Sequence, residues 1–412
     1  MNLRVAVRLG HAGGNWSKIM TKSYPAIVSL VGIGGATTVL LAACLVSHAQ
    51  AASLTALGVS GDGSVVVGYS TSASGHIPQA FRWTAAGGMV GLANRPDYRH
   101  SLATATSADG SVVVGAGDTS VGPEAFRWTS PGGMVALAPI DPDGFYSSAA
   151  ENVSGDGSVI VGAGSINSNL EAFRWTSGGG MVGLGDLAGG LFQSVAQGVS
   201  SNGSVVVGNS HSASGAEAFR WTSGGGMIGL GDLAGGAFDS TANAVSADGS
   251  VIVGHGTSAS GAEAFRWTAG SGMVGLGDLA GGPFHSFARS VSGDGSVIVG
   301  VGNYNPNLNL GDAFVWTSRG GMQLLCDVLV AQGVDPAADG WAELVIASDI
   351  SLDGSTIVGT GLRNGNYEAY IAVIGIVPEP SSMPLLLASG LTALGHRRGR
   401  RIQAVRARPL TS

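Results

Sequence analysis

The stretch Val245-Ser246-Ala247-Asp248-Gly249-Ser250-Val251-Ile252-Val253-Gly254 is one of seven copies of a single pattern, V-S-x-D-G-S-x-x-V-G. Its turn position is filled by Asp62, Asp109, Asp156, Asn202, Asp248, Asp294 and Asp353, at spacings of 47, 47, 46, 46, 46 and 59 residues. Ala242 to Ser246 is short and apolar and Ser250 to Val253 is β-branched, so the two read as strands joined at Asp248-Gly249. Aspartate or asparagine before glycine suits a type I′ hairpin, in which both central residues take positive φ. Asn202 keeps that turn chemistry and drops the charge, which marks the position as a turn residue rather than a metal ligand.

Working outward, a Gly/Ser/Ala loop leads to Glu263-Ala264-Phe265-Arg266-Trp267-Thr268. Its alternation sets Glu, Phe and Trp on one strand face and Ala, Arg and Thr on the other. The tryptophan recurs as Trp83, Trp128, Trp175, Trp221, Trp267 and Trp316, and gives way to Ala372 in copy seven. These rings are expected to pack the blades. A glycine turn then opens Met273-Val274-Gly275-Leu276, a fourth strand that copy seven lacks.

Four short strands in about 46 residues is the unit of a propeller blade. The repeats therefore predict an all-β chain with a seven-bladed β-propeller over residues 52–376; a β-solenoid is the alternative, although its coils are usually shorter and need caps. The V-V-V and V-I-V runs are apolar on both strand faces, as blades stacked on each side require. Ala56 to Ser60 aligns with a first strand, which leaves the closure of the ring open. Leu324 to Gly333 reads as a short helix ending at a glycine cap, suited to plug the ring or cover an edge. Asp335 to Trp341 reads as a loop.

Composition agrees with a repetitive β-body: of 412 residues 70 are glycine, 44% are hydrophobic and 11% are charged. That is too apolar for a disordered chain, and no G-x-y period points to collagen. Residues 52–376 hold ten arginines, no lysine and 26 acidic residues, a net charge of −16. Such a body repels phosphate backbones, so no nucleic-acid partner is expected. Cys44 and Cys326 are the two cysteines. Loss of the leader leaves one thiol and no intramolecular disulfide.

The basic residues outside the body gather at the ends. Lys18 and Lys22 precede an apolar run from Ile27 to Val46, and small residues follow, ending at Ala49-Gln50-Ala51. This is the order of a secretory signal peptide over residues 1–51, cut after Ala51. Two other readings stay open: an uncleaved membrane anchor, and a lipobox at Leu41-Ala42-Ala43-Cys44. At the other end, Val377-Pro378-Glu379-Pro380 leads into the apolar stretch Met383 to Gly395 and then Arg397, Arg398, Arg400 and Arg401.

The order V-P-E-P, apolar helix, arginine cluster resembles the PEP-CTERM sorting signal of bacterial exosortase substrates, over residues 377–412. The resemblance implies a transient stop in the inner membrane, with the arginines held cytoplasmic, and processing by an exosortase-type enzyme. The chain departs from the family pattern in a short apolar stretch and in a tail that continues to Ser412. The repeats in turn resemble the bacterial HAF extracellular repeats through their A-F-x-W framework. The position of the name-giving histidine is filled here by Gln79, Glu124, Glu171, Glu217, Glu263, Asp312 and Glu368.

Nearly every polar residue recurs once per copy and so answers first to a structural demand. The Glu and Arg of E-A-F-R-W are expected to pair or hydrogen-bond within each blade. Asp186, Asp232 and Asp278 end strands in G-L-G-D-L and offer Ca²⁺ ligands, but no D-x-D-x-D loop accompanies them; no metal or cofactor is expected. His76, His100, His211, His255 and His285 fall at inconsistent positions and read as solvated loop residues. Gly155-Asp156-Gly157-Ser158 lies in a hairpin, where a nucleophile elbow does not form. Asp97, Asp118, Asp141, Asp143 and Glu151 break the repeat and read as loop residues. The sequence thus points to an exported cell-surface or extracellular-matrix protein with a structural or polysaccharide-binding role. The competing class is a secreted glycan hydrolase or lyase with its site in the propeller channel.

Overall fold

A computed structural model describes residues 41–42, 51–72, 77–92, 95–137, 147–166, 169–306 and 310–375. Cys44, Ala49, His76, Asp141, Asp143, the segment from Val377 through Pro380 and Met383 to Arg401 lie outside them. The described residues from Ala51 to Gly375 belong to one compact unit.

The fold is a seven-bladed β-propeller. Blade five shows the plan: Gly235–Val245, Val251–Ser258, Gly261–Thr268 and Gly272–Gly275 pair antiparallel in sequence order. The first strands of the seven blades are Ala51–Val59, His100–Thr106, Ser148–Val153, Gly189–Val199, Gly235–Val245, Phe287–Val291 and Trp341–Ile350. A single parallel bridge from Ala216 to Asp239 joins the sheets of blades four and five.

Apolar residues on both faces of each blade find partners because every junction between neighbours is a separate core. Between blades four and five, Val205, Val207 and Ala218 pack against Ala242, Ile252 and Phe265, with Trp267 and Met273 partly buried at the margin. Phe265 and its counterparts Phe126, Phe173, Phe219 and Phe314 are fully buried. Each such ring stabilises the fold by about 1.5–3 kcal/mol relative to an exposed one. The tryptophans sit further out: Trp83 is buried, while the other five are half-buried. The same arrangement recurs between blades seven and one, where Val358, Ala369 and Ile371 meet Ala56, Val66 and Phe81.

Two further features close the ring. A circle of backbone hydrogen bonds runs through the hairpin turns: Gly61 N–H to Ala108 O (2.9 Å), Ala108 to Gly155 (2.9 Å), Gly155 to Ser201 (3.0 Å), Ser201 to Ala247 (3.1 Å), Ala247 to Gly293 (3.0 Å) and Gly293 to Leu352 (2.9 Å). It returns to its start when Asp353 N–H donates to Gly61 O at 3.3 Å. The fourth strand missing from copy seven is supplied by Leu41–Ala42, which pairs antiparallel with Asn366–Val373. Leu41 lies opposite Ala372 as Met273 lies opposite Trp267, so two residues from the predicted leader take the register of the missing strand. A cut after Ala51 would leave blade seven with three strands.

The glycine ending V-x-V-G has a steric cause. A Cβ on Gly254 would collide with the carbonyl oxygen of Thr241, and its counterparts from Gly68 to Gly359 meet the same first-strand carbonyl. The hairpin turn differs from the type I′ expectation. Gly249 takes φ +78°, but Asp248 is not among the residues with positive φ. The loop is longer: Gly249 N–H donates to Ser246 O and Ser246 N–H to Val251 O, leaving glycine alone to turn left-handed. The aspartate serves as an acceptor, taking the Ser246 hydroxyl at 2.7 Å and the Ser250 N–H at 2.9 Å. Asn202 accepts from Ser200 and Ser204 in the same way, which explains why amide replaces carboxylate there.

The helix between copies six and seven is Leu325–Ala331, and none of its residues lines the channel cavity. Leu325 and Leu329 are buried in the core between blades six and seven. The predicted loop after it contains a 3-10 turn, Pro336–Asp339, and Trp341 opens the next strand with its ring buried.

Candidate functional site in the central channel

The seven first strands line one cavity of about 220 Å³ on the propeller axis. In each of them the pairing register slips by one residue at the same place, five positions before the turn Asp or Asn. Such a β-bulge leaves one residue unpaired and re-aims its side chain. The bulged residues are Leu57, Thr104, Glu151, Gln197, Asn243, Arg289 and Ser348, and all seven line the channel. The preceding position is alanine in every copy, from Ala56 to Ala347, each with no exposed surface. A uniform device thus presents seven different side chains to one space.

Several of these groups tie blades together. The Thr104 hydroxyl donates to Ala150 O at 2.8 Å, and Asn243 Nδ2 to Ala288 O at 2.6 Å. Beside Ser348, the half-buried Asp349 accepts the Ser290 hydroxyl at 2.6 Å, Val59 N–H at 2.9 Å and Ile350 N–H at 2.9 Å, so that blades six, seven and one meet on one carboxylate. Burial raises its pKa to about 6 against those hydrogen bonds, which lower it. Below the bulges, the channel floor is built from Gly61, Ala108, Gly155, Ser201 and Ala247, with Leu352 the one large side chain among them.

Next to Arg289 lies an aromatic group from blades five and six. His255 meets Phe287 edge-on at 4.6 Å between ring centroids, and His285 lies 5.4 Å from Tyr304. The Arg289 guanidinium sits 5.8 Å from the Phe287 centroid. His255 belongs to the strand Val251–Ser258 rather than to a solvated loop. Burial, then the charge of Arg289, lowers its pKa to about 4, and its Nδ1 has no hydrogen-bond partner.

The other residues singled out from sequence lie away from the channel. Glu171, Glu217 and Glu263 accept the backbone N–H of Gly185, Gly231 and Gly277 at 2.8–3.0 Å, while Arg82 donates to Gly110 O in the next blade. Glu171, Glu217 and Glu263 thus serve the backbone of their own blades, while Glu124 accepts the Tyr98 hydroxyl at 3.2 Å. Asp232 and Asp278 accept the backbone N–H groups of Asp239 and His285. His100 pairs with Asp118 at 3.1 Å, and Asp97 with Arg95 at 3.0 Å. Among the described residues no group of three or more His, Cys, Asp or Glu is arranged to hold a metal ion. Cys326 is half-buried on its helix, where burial pushes the thiol pKa up.

Glu151 corrects the sequence reading: it lies in the strand Ser148–Val153, not in a loop. Arg289 and Asp349 were not singled out at all. Their signal was available in the aligned copies, because the column five before the turn reads L, T, E, Q, N, R, S between an invariant alanine and a small or polar residue.

No family model matches the chain, and no curated protein sequence matches it. Among solved structures, TolB from Acinetobacter baumannii is similar at 16% identity and a TM-score of 0.43, covering 64% of this chain. The chain spans 63% of that TolB's length. An oligogalacturonate lyase in complex with manganese is similar at 11% identity and a TM-score of 0.47, covering 77% of this chain and 88% of its own.

Proposed function

We propose that the chain is an exported cell-surface or extracellular-matrix protein whose propeller binds a ligand or partner without catalysis. The observation behind the binding role is the bulge ring, where identical backbone geometry carries a different residue in each blade. Export is supported by the signal-like leader and by the segment that resembles a PEP-CTERM signal, with an exosortase-type enzyme as the processing partner and matrix polysaccharide as a candidate contact. The intact mass of the protein recovered from the producing cell's exterior tests this. Loss of the leader and a C-terminus near Pro380 are expected; a mass retaining Arg397 to Arg401 would remove the sorting assignment.

One observation favours the second reading, a secreted glycan hydrolase or lyase. Glu151 is a channel carboxyl whose pKa is pushed up by burial, the state a general acid needs. Incubating the purified protein with matrix polysaccharide separates the readings. The binding role predicts no turnover; turnover that disappears in Glu151→Gln would establish the enzyme.

A further inference from the structure

Of the seven side chains aimed into the channel by the bulges, two carry charge, and neither makes a hydrogen bond or ion pair among the described residues. Thr104 and Asn243 are engaged with neighbouring backbone, and Gln197 Nε2 lies 3.5 Å from Asn209 Oδ1. Glu151 in blade three and Arg289 in blade six stand three blades apart in a ring of seven, on opposite sides of one layer. Both line the same cavity, Glu151 half-buried and Arg289 more exposed, and desolvation raises the Glu151 pKa and lowers that of Arg289.

Charges that face a confined cleft act on a ligand more strongly than charges on an open surface. This fold keeps two, of opposite sign, at the one position of its first strand where the repeat is free to vary. Phe287 lies against the Arg289 guanidinium, an arrangement that steadies the fork by cation–π attraction. The cavity of about 220 Å³ has room for roughly seven water-sized groups at ~30 Å³ each. That admits a small molecule, not a folded segment of polymer.

We propose that the channel binds a small zwitterion, its carboxylate on Arg289 and its ammonium on Glu151. The assignment rests on the binding reading above and names the ligand chemistry: an amino acid, an ω-amino acid or a dipeptide. A guanidinium fork matches a carboxylate with two parallel hydrogen bonds, and a carboxylate across the channel accepts from an ammonium. Neutral sugars offer neither charge.

Calorimetric titration of the exported protein with glycine, β-alanine, 4-aminobutyrate and glycylglycine tests the assignment, with acetate and propylammonium as single-charge controls. One zwitterion is expected to bind at least about tenfold tighter than either control, a difference of about 1.4 kcal/mol. Glu151→Gln and Arg289→Gln should each remove that advantage while melting close to the wild-type temperature, since neither head has a hydrogen-bond or ion-pair partner among the described residues. Equal affinity for acetate and the zwitterions overturns the proposal, as does the absence of saturable binding by all four. It is also overturned if both single variants melt lower and the double variant recovers, because the two charges would then be partners of each other. Should a variant fail to fold, the selectivity series on the wild type decides alone. Turnover of polysaccharide by the same preparation would sink the non-catalytic reading while leaving this one standing, so the two failures are distinguishable.

Discussion

Two rings of residues sit five positions apart along the repeats, one in the bulges of the first strands and one in the turns that follow them, and they behave in opposite ways. In the turn ring Ser246, Asp248 and Ser250 and their counterparts repeat the same hydrogen bonds in every blade. In the bulge ring no two blades carry the same residue. The turns hold the circle of backbone bonds that closes the propeller, so each copy must supply the same acceptor. The bulges project away from that framework into the channel, where each blade makes its own contacts. Repetition marks what the ring needs to exist, and departure from it marks what the ring presents.

Substitution should expose this contrast in size of effect. Gly254→Val belongs to the framework, and its new side chain collides with the Thr241 carbonyl; a loss of at least about 4 kcal/mol is expected in urea unfolding. Gly68 and Gly359 should be equally intolerant.

The pH dependence of stability separates two kinds of carboxylate. Hydrogen bonds from Ser246 and Ser250 hold Asp248 below the usual carboxylate pKa, so its contribution is present above about pH 4 and is lost as the pH falls through the folded value. Asp349 has the opposite sign. Its folded pKa of about 6 lies above the model-compound value of 3.8, so between these the folded state retains a proton that the unfolded state has released, and stability rises as the pH falls. His255, whose folded pKa of about 4 lies below that of a free imidazole, works against it over the same range, so the Asp349 contribution is read as a difference: in thermal melts from pH 7 to 4 the wild type should gain stability relative to Asp349→Asn as the pH falls.

Smaller effects follow within the turn ring. Asp248→Ala removes an acceptor from two serines and should cost about 1 kcal/mol, whereas Asp248→Asn reproduces copy four and should change stability by less than about 0.5 kcal/mol. The bulge ring is expected to be more permissive still. Gln197→Ser, which places blade seven's residue in blade four, should leave the denaturation midpoint unchanged within error.

The fold was readable because its causes recur: the serine and acid of the turn, the buried phenylalanine and the V-x-V-G glycine each appear six or seven times. The turn geometry was misread because Asp-Gly is shared by several hairpins, and only the Ser246 to Val251 pairing shows that the loop is four residues long. Closure escaped the sequence for another reason. Leu41 and Ala42 sit in an apolar run without turn or anchor, and nothing local marks them as partners of Ile371 and Ala372 some 330 residues away. Glu151 was passed over because charge and a broken repeat suggest a loop, whereas a bulge lets a strand carry the same signal.

The central claim is that seven blades close into one ring through their turns. Amide hydrogen exchange at Gly61, Ala108, Gly155, Ser201, Ala247, Gly293 and Asp353, the seven donors of the circle, tests it most directly. A closed ring predicts that all seven exchange slowly, with Asp353, the donor across the junction of blades seven and one, as protected as Ser201. Free exchange at Asp353 beside six protected amides would mean that blades seven and one do not meet.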